Sequence, residues 1–297
     1  MESLKMIGFG KKSTRSNRAG YLMVLPYIVH FIFFVSFPLI FSFILIFHKW
    51  DLFTPMQWVG LANFRRLFQD VQFFKAIGNT LIFLSIHIPL QIVIALLLAV
   101  FLNARIKFRG FFRAVYFLPV IVSGVVTTIL WKELYAYDTG ILNLLLLKMG
   151  FEKIPWINSA HLAMPSIAIM ATWKNLGLYV VLFLVGLQAI PAYLYEAADI
   201  DGAKSVQKFF YITLPSLKNT MMLVVVLSTI GGFSLFIEPF VMTGGGPLNS
   251  TLSAMLYIYK QAFYFGHMGY AAALGFFFAA IILMVILVQK KVLETRY

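Results

Sequence analysis

Gln188–Pro215 reads QAIPAYLYEAADIDGAKSVQKFFYITLP, a polar island between two long apolar blocks. Pro191 suits the first turn of a helix, where its missing N–H costs nothing. Ala192 to Ile200 then runs without a breaker. Gly202 falls where a left-handed C-terminal cap belongs. Ser205 is placed to cap a second short helix, which Leu214-Pro215 ends. The stretch is therefore expected to be helix, tight turn, helix. A solvent loop does not need that order, whereas a docking surface does.

The blocks around it set the class. Of 297 residues, 61% are hydrophobic and only 12% charged; mean hydropathy is +0.87. A soluble domain carries roughly a quarter of its residues as charges, so the chain is expected to be an all-α integral membrane protein. Six apolar blocks are long enough to cross a bilayer core of about 30 Å. They are Tyr21–Phe47, Ala76–Leu102, Phe112–Trp131, Leu162–Leu187, Leu217–Phe236 and Ala271–Val288. The first is too long for the apolar core of a cleaved signal. This divides the chain into a tail over 1–20, a six-span domain over 21–288 carrying the loop 188–215, and a tail over 289–297.

Basic residues orient the spans. With the N-terminus inside, the inner segments hold fifteen Lys and Arg and the outer segments eight, with Lys174 left inside the fourth block. The excess includes Lys5, Lys11, Lys12, Arg15 and Arg18 in the tail, and Arg105, Lys107, Arg109 and Arg113 in one short loop. By the positive-inside rule both termini are expected in the cytoplasm, and so is Gln188–Pro215. The net charge of +13 is accounted for by these flanks and does not call for nucleic acid. The outer loops are expected to hold an interfacial helix at Leu61–Phe68, a turn at Asp138-Thr139-Gly140 before apolar Ile141–Leu147, a break at Thr243–Pro247, and a surface helix at Thr251–Phe265. Asn249-Ser250-Thr251 matches a glycosylation acceptor, a weak signal.

No catalytic constellation is present. The five histidines make no metal spacing, the absence of cysteine excludes thiolate chemistry, and there is no phosphate-binding GxxxxGK[ST] loop. Any ATP used must be hydrolysed by another subunit. The spans lack Asp and Glu apart from Glu238, which argues against proton or sodium coupling; no TVGYG-like filter is present.

Lys174, within Trp173-Lys174-Asn175, is the clear intramembrane charge. It either snorkels or pairs with Glu133 or Glu238, or it forms a polar wall with Asn175 and Tyr179 along a water-filled path. Trp173 and Tyr179 suit stacking on a sugar ring and equally suit an interfacial belt. In the fifth block Ser228, Gly231, Gly232 and Ser234 form a small polar stripe before Glu238-Pro239, suited to close packing or to substrate contact.

Glu196-Ala197-Ala198, with Gly202 following and Ile212-x-Leu214-Pro215 closing, resembles the EAA loop of the inner-membrane permeases of binding-protein-dependent ABC importers. Further stretches are similar to the carbohydrate branch of that family, of the maltose, glycerol-phosphate and multiple-sugar kind: Val59–Phe64, Arg113–Pro119, Gly140–Asn143, Pro155–Ile157, Gly186–Pro191 and Thr243–Pro247. The resemblance covers nearly the whole chain and implies the simpler six-span, type I importer fold.

That resemblance implies a multi-pass subunit of a bacterial cell membrane. It pairs with a second homologous permease, a cytoplasmic ATPase dimer that binds ATP and Mg, and an extracytoplasmic solute-binding protein that delivers a sugar. The implied ATPase contact is Tyr195, Glu196, Ala197, Ala198, Asp199, Asp201, Gly202 and Ala203, with Leu214 and Pro215 closing the loop. Glu196 would pair with a basic group of the ATPase, or serve as a favourable charge early in its helix. The implied substrate path takes Trp173, Lys174, Asn175, Tyr179, Ser228, Ser234 and Glu238. No cofactor or metal is expected in this chain. A permease for another solute, such as glycerol phosphate or a peptide, fits the same spans and loop. A channel or membrane scaffold is the alternative from a different class.

Overall fold

The computed structural model describes residues 14–104 and 108–294. The inner-loop residues Arg105 and Lys107 and the outermost tail residues, Lys5, Lys11, Lys12 and Arg296 among them, lie outside it. The regular secondary structure of the described residues is helical, with one exception. The exception is a two-stranded antiparallel pair, His48–Lys49 with Gln57–Trp58, that pairs His48 with Trp58 and Lys49 with Gln57.

Five helical runs are long and apolar enough to cross a membrane: Gly20–Leu45, Val71–Asn103, Ala163–Gln188, Lys218–Met242 and Met268–Val292. We number them first, second, fourth, fifth and sixth. The expected third span, Phe112–Trp131, is not one continuous helix. Arg109–Ile121 and Gly124–Leu134 meet at an angle of 99°. Val122 and Ser123 between them are extended, with ψ of 141° and 133°, a backbone that no α-helix continues. Ser123-Gly124 is the punctuation that allows it. The fifth span is also interrupted: one helix covers Lys218–Phe233 and a short one Ile237–Met242, which places Glu238 beyond the break.

The fourth span is the hub. In its most apolar window 56% of residues are buried, against 6% for the first span, which lies at the periphery. The second span packs along the fourth over most of its length. Its 33 residues amount to about 50 Å of helix, longer than a bilayer core, so it projects beyond the apolar layer. Asp70 caps its start, with its carboxylate accepting from the backbone N–H groups of Gln72 and Phe73, both at 3.1 Å, as an N-cap should. One buried cluster gathers Phe73, Phe83, Ile167, Met170, Phe233 and Phe278. A second, toward residues 188–217, gathers Ala95, Ala99, Phe183, Leu187, Leu217 and Val224. Ala95 and Ala99 let the backbones of the second and fourth spans approach closely.

The loops over 46–70, 132–162 and 243–267 gather at one end. Lys75 Nζ donates to the Leu248 carbonyl at 2.9 Å and Asn79 Nδ2 to those of Asn249 and Leu252 at 2.8 and 3.0 Å. The helix expected at Leu61–Phe68 spans Ala62–Phe68, and the apolar stretch from Ile141 is itself a helix, Ile141–Lys148. Thr251–Phe265 resolves into Ala254–Tyr259 followed by a π-helical turn, Lys260–Tyr264. Residues 188–217 lie at the opposite end.

Candidate functional site

The helix Ala192–Ile200 has no buried residue. Pro191 is its N-cap, one position before the helical residues rather than within the first turn. Its far end closes as a Schellman motif. The Ala203 N–H reaches the Ala198 carbonyl at 2.9 Å and the Gly202 N–H reaches that of Asp199 at 3.1 Å, with Gly202 at φ +72°. That is the left-handed cap the sequence leads one to expect, at a φ that costs a side-chain-bearing residue energy.

The second helix departs from expectation at both ends. Its N-cap is Lys204, not Ser205, which is already helical. The Gln207 Oε1 accepts from the Lys204 N–H at 2.8 Å. The helix does not stop at Leu214-Pro215. It passes from Ser205–Lys208 through a π-helical turn, Phe209–Thr213, into Leu214–Ser216. Pro215 is tolerated because it sits at the start of that last segment, where no N–H bond is lost. Only Leu217, with φ −81° and ψ 3°, separates this run from the fifth span.

Two contacts brace the helices. Lys208 pairs with Asp199 at 2.5 Å, and the Tyr195 hydroxyl meets the Thr213 hydroxyl at 2.9 Å. Tyr195 therefore faces the loop's own second helix, and Ala198 is half-buried. Glu196, Ala197, Ile200 and Asp201 are exposed. So is an apolar set that the sequence reading missed: Tyr193, Ile200 at 87% exposure, and Val206. Tyr193 and Ile200, seven residues apart on one helix and hence on one face, were the available signal.

At the other end of the fourth and fifth spans, Lys174 Nζ lies 3.2 Å from Glu238 Oε1, with both side chains largely buried. Of the two pairings weighed from sequence, Glu238 is the one formed. A Cβ on Gly124 would stand 2.7 Å from Lys174 Nζ. The glycine that opens the bent third segment therefore makes room for the ammonium, and the ion pair ties three segments at one point. Trp173 is 42% exposed and its ring lies 5.4 Å from that of Trp131.

The family described as binding-protein-dependent transport system inner membrane component matches residues 68–294. The chain belongs to that family. Among curated relatives, it is 37% identical over 276 residues to the arabinooligosaccharides transport system permease protein AraP of Bacillus subtilis (strain 168), covering 92% of this chain and 88% of that protein. It is 37% identical to the lactose transport system permease protein LacF of Rhizobium radiobacter, covering 90% of each. It is 32% identical to the trehalose/maltose transport system permease protein MalF of Thermococcus litoralis, covering 95% and 96%. Its fold is shared with a chain of a bacterial ABC transporter involved in the import of the acidic polysaccharide alginate, at a TM-score of 0.83 and 24% identity, over 95% of this chain and 97% of that one.

Within this inner-membrane component, the remaining residues expected along the path fall into two groups. Asn175 and Ser234 are at least partly exposed, and both spend a hydrogen bond on their own helix, to the carbonyls of Ala171 and Ile230. Tyr179 and Ser228 are buried. Ser228 donates to Gln91 Oε1 on the second span at 3.0 Å, so this pair sits where the second, fourth and fifth spans meet. His87 joins the same interior, 2.8 Å from the Thr172 hydroxyl. Asn143 went unsingled in the sequence. Its amide donates to the carbonyls of Tyr137 and Ile154 and accepts from the Ile154 N–H and Trp156 Nε1, all within 3.0–3.1 Å. That satisfies every polar atom of a buried side chain and fixes the loop that follows the bent segment. No cluster able to hold a metal is found among the described residues.

Proposed function

We propose that this chain forms half of the translocation path of an ATP-driven importer of a sugar or oligosaccharide, with both termini in the cytoplasm. A second homologous permease would supply the other half, and an extracytoplasmic binding protein the solute. ATP and Mg would be bound by a pair of cytoplasmic ATPase subunits. The sugar assignment is supported by relatives whose names specify arabinooligosaccharides, lactose and trehalose/maltose.

The observation that carries the mechanism is the exposed Ala192–Ile200 helix, braced to a helical run that leads into the fifth span. Ala189–Pro191 joins the same helix to the fourth span. A push on it is thus delivered to two spans at once. Glu196, Ala197, Ile200 and Asp201 form the face offered to the ATPase, with Ala198, Asp199, Gly202 and Ala203 closing the cap that sets its angle. Tyr195 transmits through Thr213 rather than touching the partner, and Leu214 and Pro215 belong to the run into the fifth span.

At the far end the fourth and fifth spans carry Lys174 and Glu238, so their relative movement acts where Trp173, Asn175 and Ser234 are open to a passing solute. Tyr179 and Ser228 hold the packing behind that wall. The test is co-purification of the chain with its neighbouring subunits, reconstitution, and measurement of ATP hydrolysis with a panel of oligosaccharides. Stimulation by one class of sugar is expected. Uptake that persists without ATP refutes the assignment.

A further inference from the structure

Where the loops gather, a cavity of about 630 Å³ opens between the His48–Trp58 strand pair, the Ala62–Phe68 helix and the start of the sixth span, with Lys49, Arg66 and His267 in its lining. We propose that this cavity is a site for the headgroup of an anionic phospholipid.

Four observations carry it. First, charge. Neither Lys49 nor Arg66 has a carboxylate partner among the described residues. Arg66 stacks on the Tyr270 ring at 4.0 Å and sets one terminal nitrogen 3.3 Å from His267 Nδ1, which leaves the other N–H groups of its guanidinium available. The cavity's one carboxylate, Asp51, is engaged with its own turn: Oδ1 accepts from the N–H groups of Phe53 and Thr54 and from the Thr54 hydroxyl at 2.8–3.1 Å.

Second, the site is preformed. Asn63 Nδ2 donates to the carbonyls of Ile46 and His48 at 2.7 and 3.0 Å, clamping the strand pair to the Ala62–Phe68 helix. On the other wall, His267 Nδ1 donates to Gln261 Oε1 at 2.9 Å, Gln261 Nε2 to the Tyr257 hydroxyl at 2.9 Å, and the Tyr257 and Tyr270 hydroxyls to Asp70 Oδ2. A ligand entering there orders little that is not already ordered.

Third, depth. Lys49 follows the end of the first span at Leu45 by four residues, and Gly266 and His267 immediately precede the sixth at Met268. The cavity therefore lies at the membrane–water boundary, where lipid phosphates sit. Fourth, its surroundings. Phe53, Trp58, Leu61 and Phe265 are all strongly exposed beside it, the amphipathic and apolar company of an interfacial site. The first span, packed against the sixth and otherwise uncovered, provides an apolar track for an acyl chain. A docking loop of a protein partner would need none of that apolar rim.

The test uses the full-length chain, purified in mild detergent and titrated with phosphatidylglycerol or phosphatidylcholine, with bound lipid counted by native mass spectrometry. Phosphatidylglycerol should be retained in preference to phosphatidylcholine. Each basic residue near a membrane surface is worth about a fivefold change in anionic-lipid affinity. Lys49→Gln should therefore lower retention about fivefold, and Lys49→Gln with Arg66→Gln roughly thirtyfold. Lys49 makes no hydrogen bond that a Gln would break, so the single variant should melt like the wild type and stands if the double variant misfolds. Equal retention of the two lipids, or undiminished phosphatidylglycerol on Lys49→Gln, overturns the proposal. Displacement of the lipid by millimolar inorganic phosphate overturns the lipid as the source of the anion. Loss of the solute-binding protein from the double variant with lipid retention unchanged overturns it in favour of a protein-docking role.

Discussion

Gly202 offers the sharpest test of the lever. Its φ of +72° is the left-handed conformation that costs a residue with a Cβ about 1–2 kcal/mol. A Cβ built there meets nothing within 4 Å, so substitution adds no steric term. Gly202→Ala should shift the capped loop by about 1 kcal/mol, roughly a fivefold loss in its population relative to uncapped forms. Gly202→Asn should lose less, since Asn tolerates the left-handed region better than Ala. Gly202→Pro cannot reach a positive φ and also deletes the N–H donated to the Asp199 carbonyl. The cap then fails outright.

None of this reaches the membrane core, because the Ala192–Ile200 helix contributes no buried residue. Melting in detergent and membrane insertion should stay at wild-type values across the series. ATP-driven uptake by the reconstituted transporter should fall in the order Gly, Asn, Ala, Pro, with Pro inactive. Wild-type uptake by Gly202→Pro would show that the cap transmits nothing, and a parallel collapse of uptake and melting temperature would show that its role is structural.

Three further outcomes follow from named contacts. Lys174→Met or Glu238→Gln alone leaves one largely buried charge unpaired and should destabilise by about 3–5 kcal/mol, while the double variant recovers much of that; additive losses in melting experiments contradict a direct pair. Tyr195→Phe removes only the hydroxyl that meets Thr213, so uptake should fall while melting stays within about 1 kcal/mol; unchanged uptake means the brace does not transmit. At Asp70, burial pushes the carboxyl up, but bonds from the Tyr257 and Tyr270 hydroxyls and the Phe73 and Gln72 N–H groups outweigh it and hold it below the ordinary 3.8. Its contribution is therefore complete above that value and is lost as pH falls through the lower folded one. Asp70→Ala should cost about 2–4 kcal/mol at pH 7 through the lost cap and unpaired hydroxyls. The gap to wild type should narrow in acid melts below pH 4; a pH-independent gap contradicts it.

Much of this architecture was legible in the residues. Apolar length located the spans, because nothing else in a chain has that pattern. Gly202 announced its cap because few residues other than glycine accept that φ. The bent third segment was hidden: Phe112–Trp131 is apolar throughout, and hydropathy does not see the extended backbone at Val122 and Ser123, though Ser123-Gly124 was in view. The run through Leu214-Pro215 was misread because a proline that stops a helix interior is harmless at the start of a segment. The Lys174–Glu238 pair could be listed but not chosen, since 64 residues separate the two and only the packing of the fourth and fifth spans decides between Glu133 and Glu238. Tyr195 adjoins Glu196 in the expected docking stretch, and its hydroxyl meets that of Thr213, 18 residues on. Its orientation depends on Thr213, which no local pattern reveals.

Force from an ATPase should enter the chain through the Ala192–Ile200 helix. The chain contains no cysteine, so Ile200→Cys introduces a single addressable thiol on the exposed face. Cross-linking of the assembled transporter with a short bis-maleimide should join Ile200→Cys to the ATPase subunit, while Tyr195→Cys, turned toward Thr213, should join poorly. Cross-linking of Ile200→Cys to the extracytoplasmic binding protein, or equal yields at the two positions, would contradict docking of this helix on the ATPase.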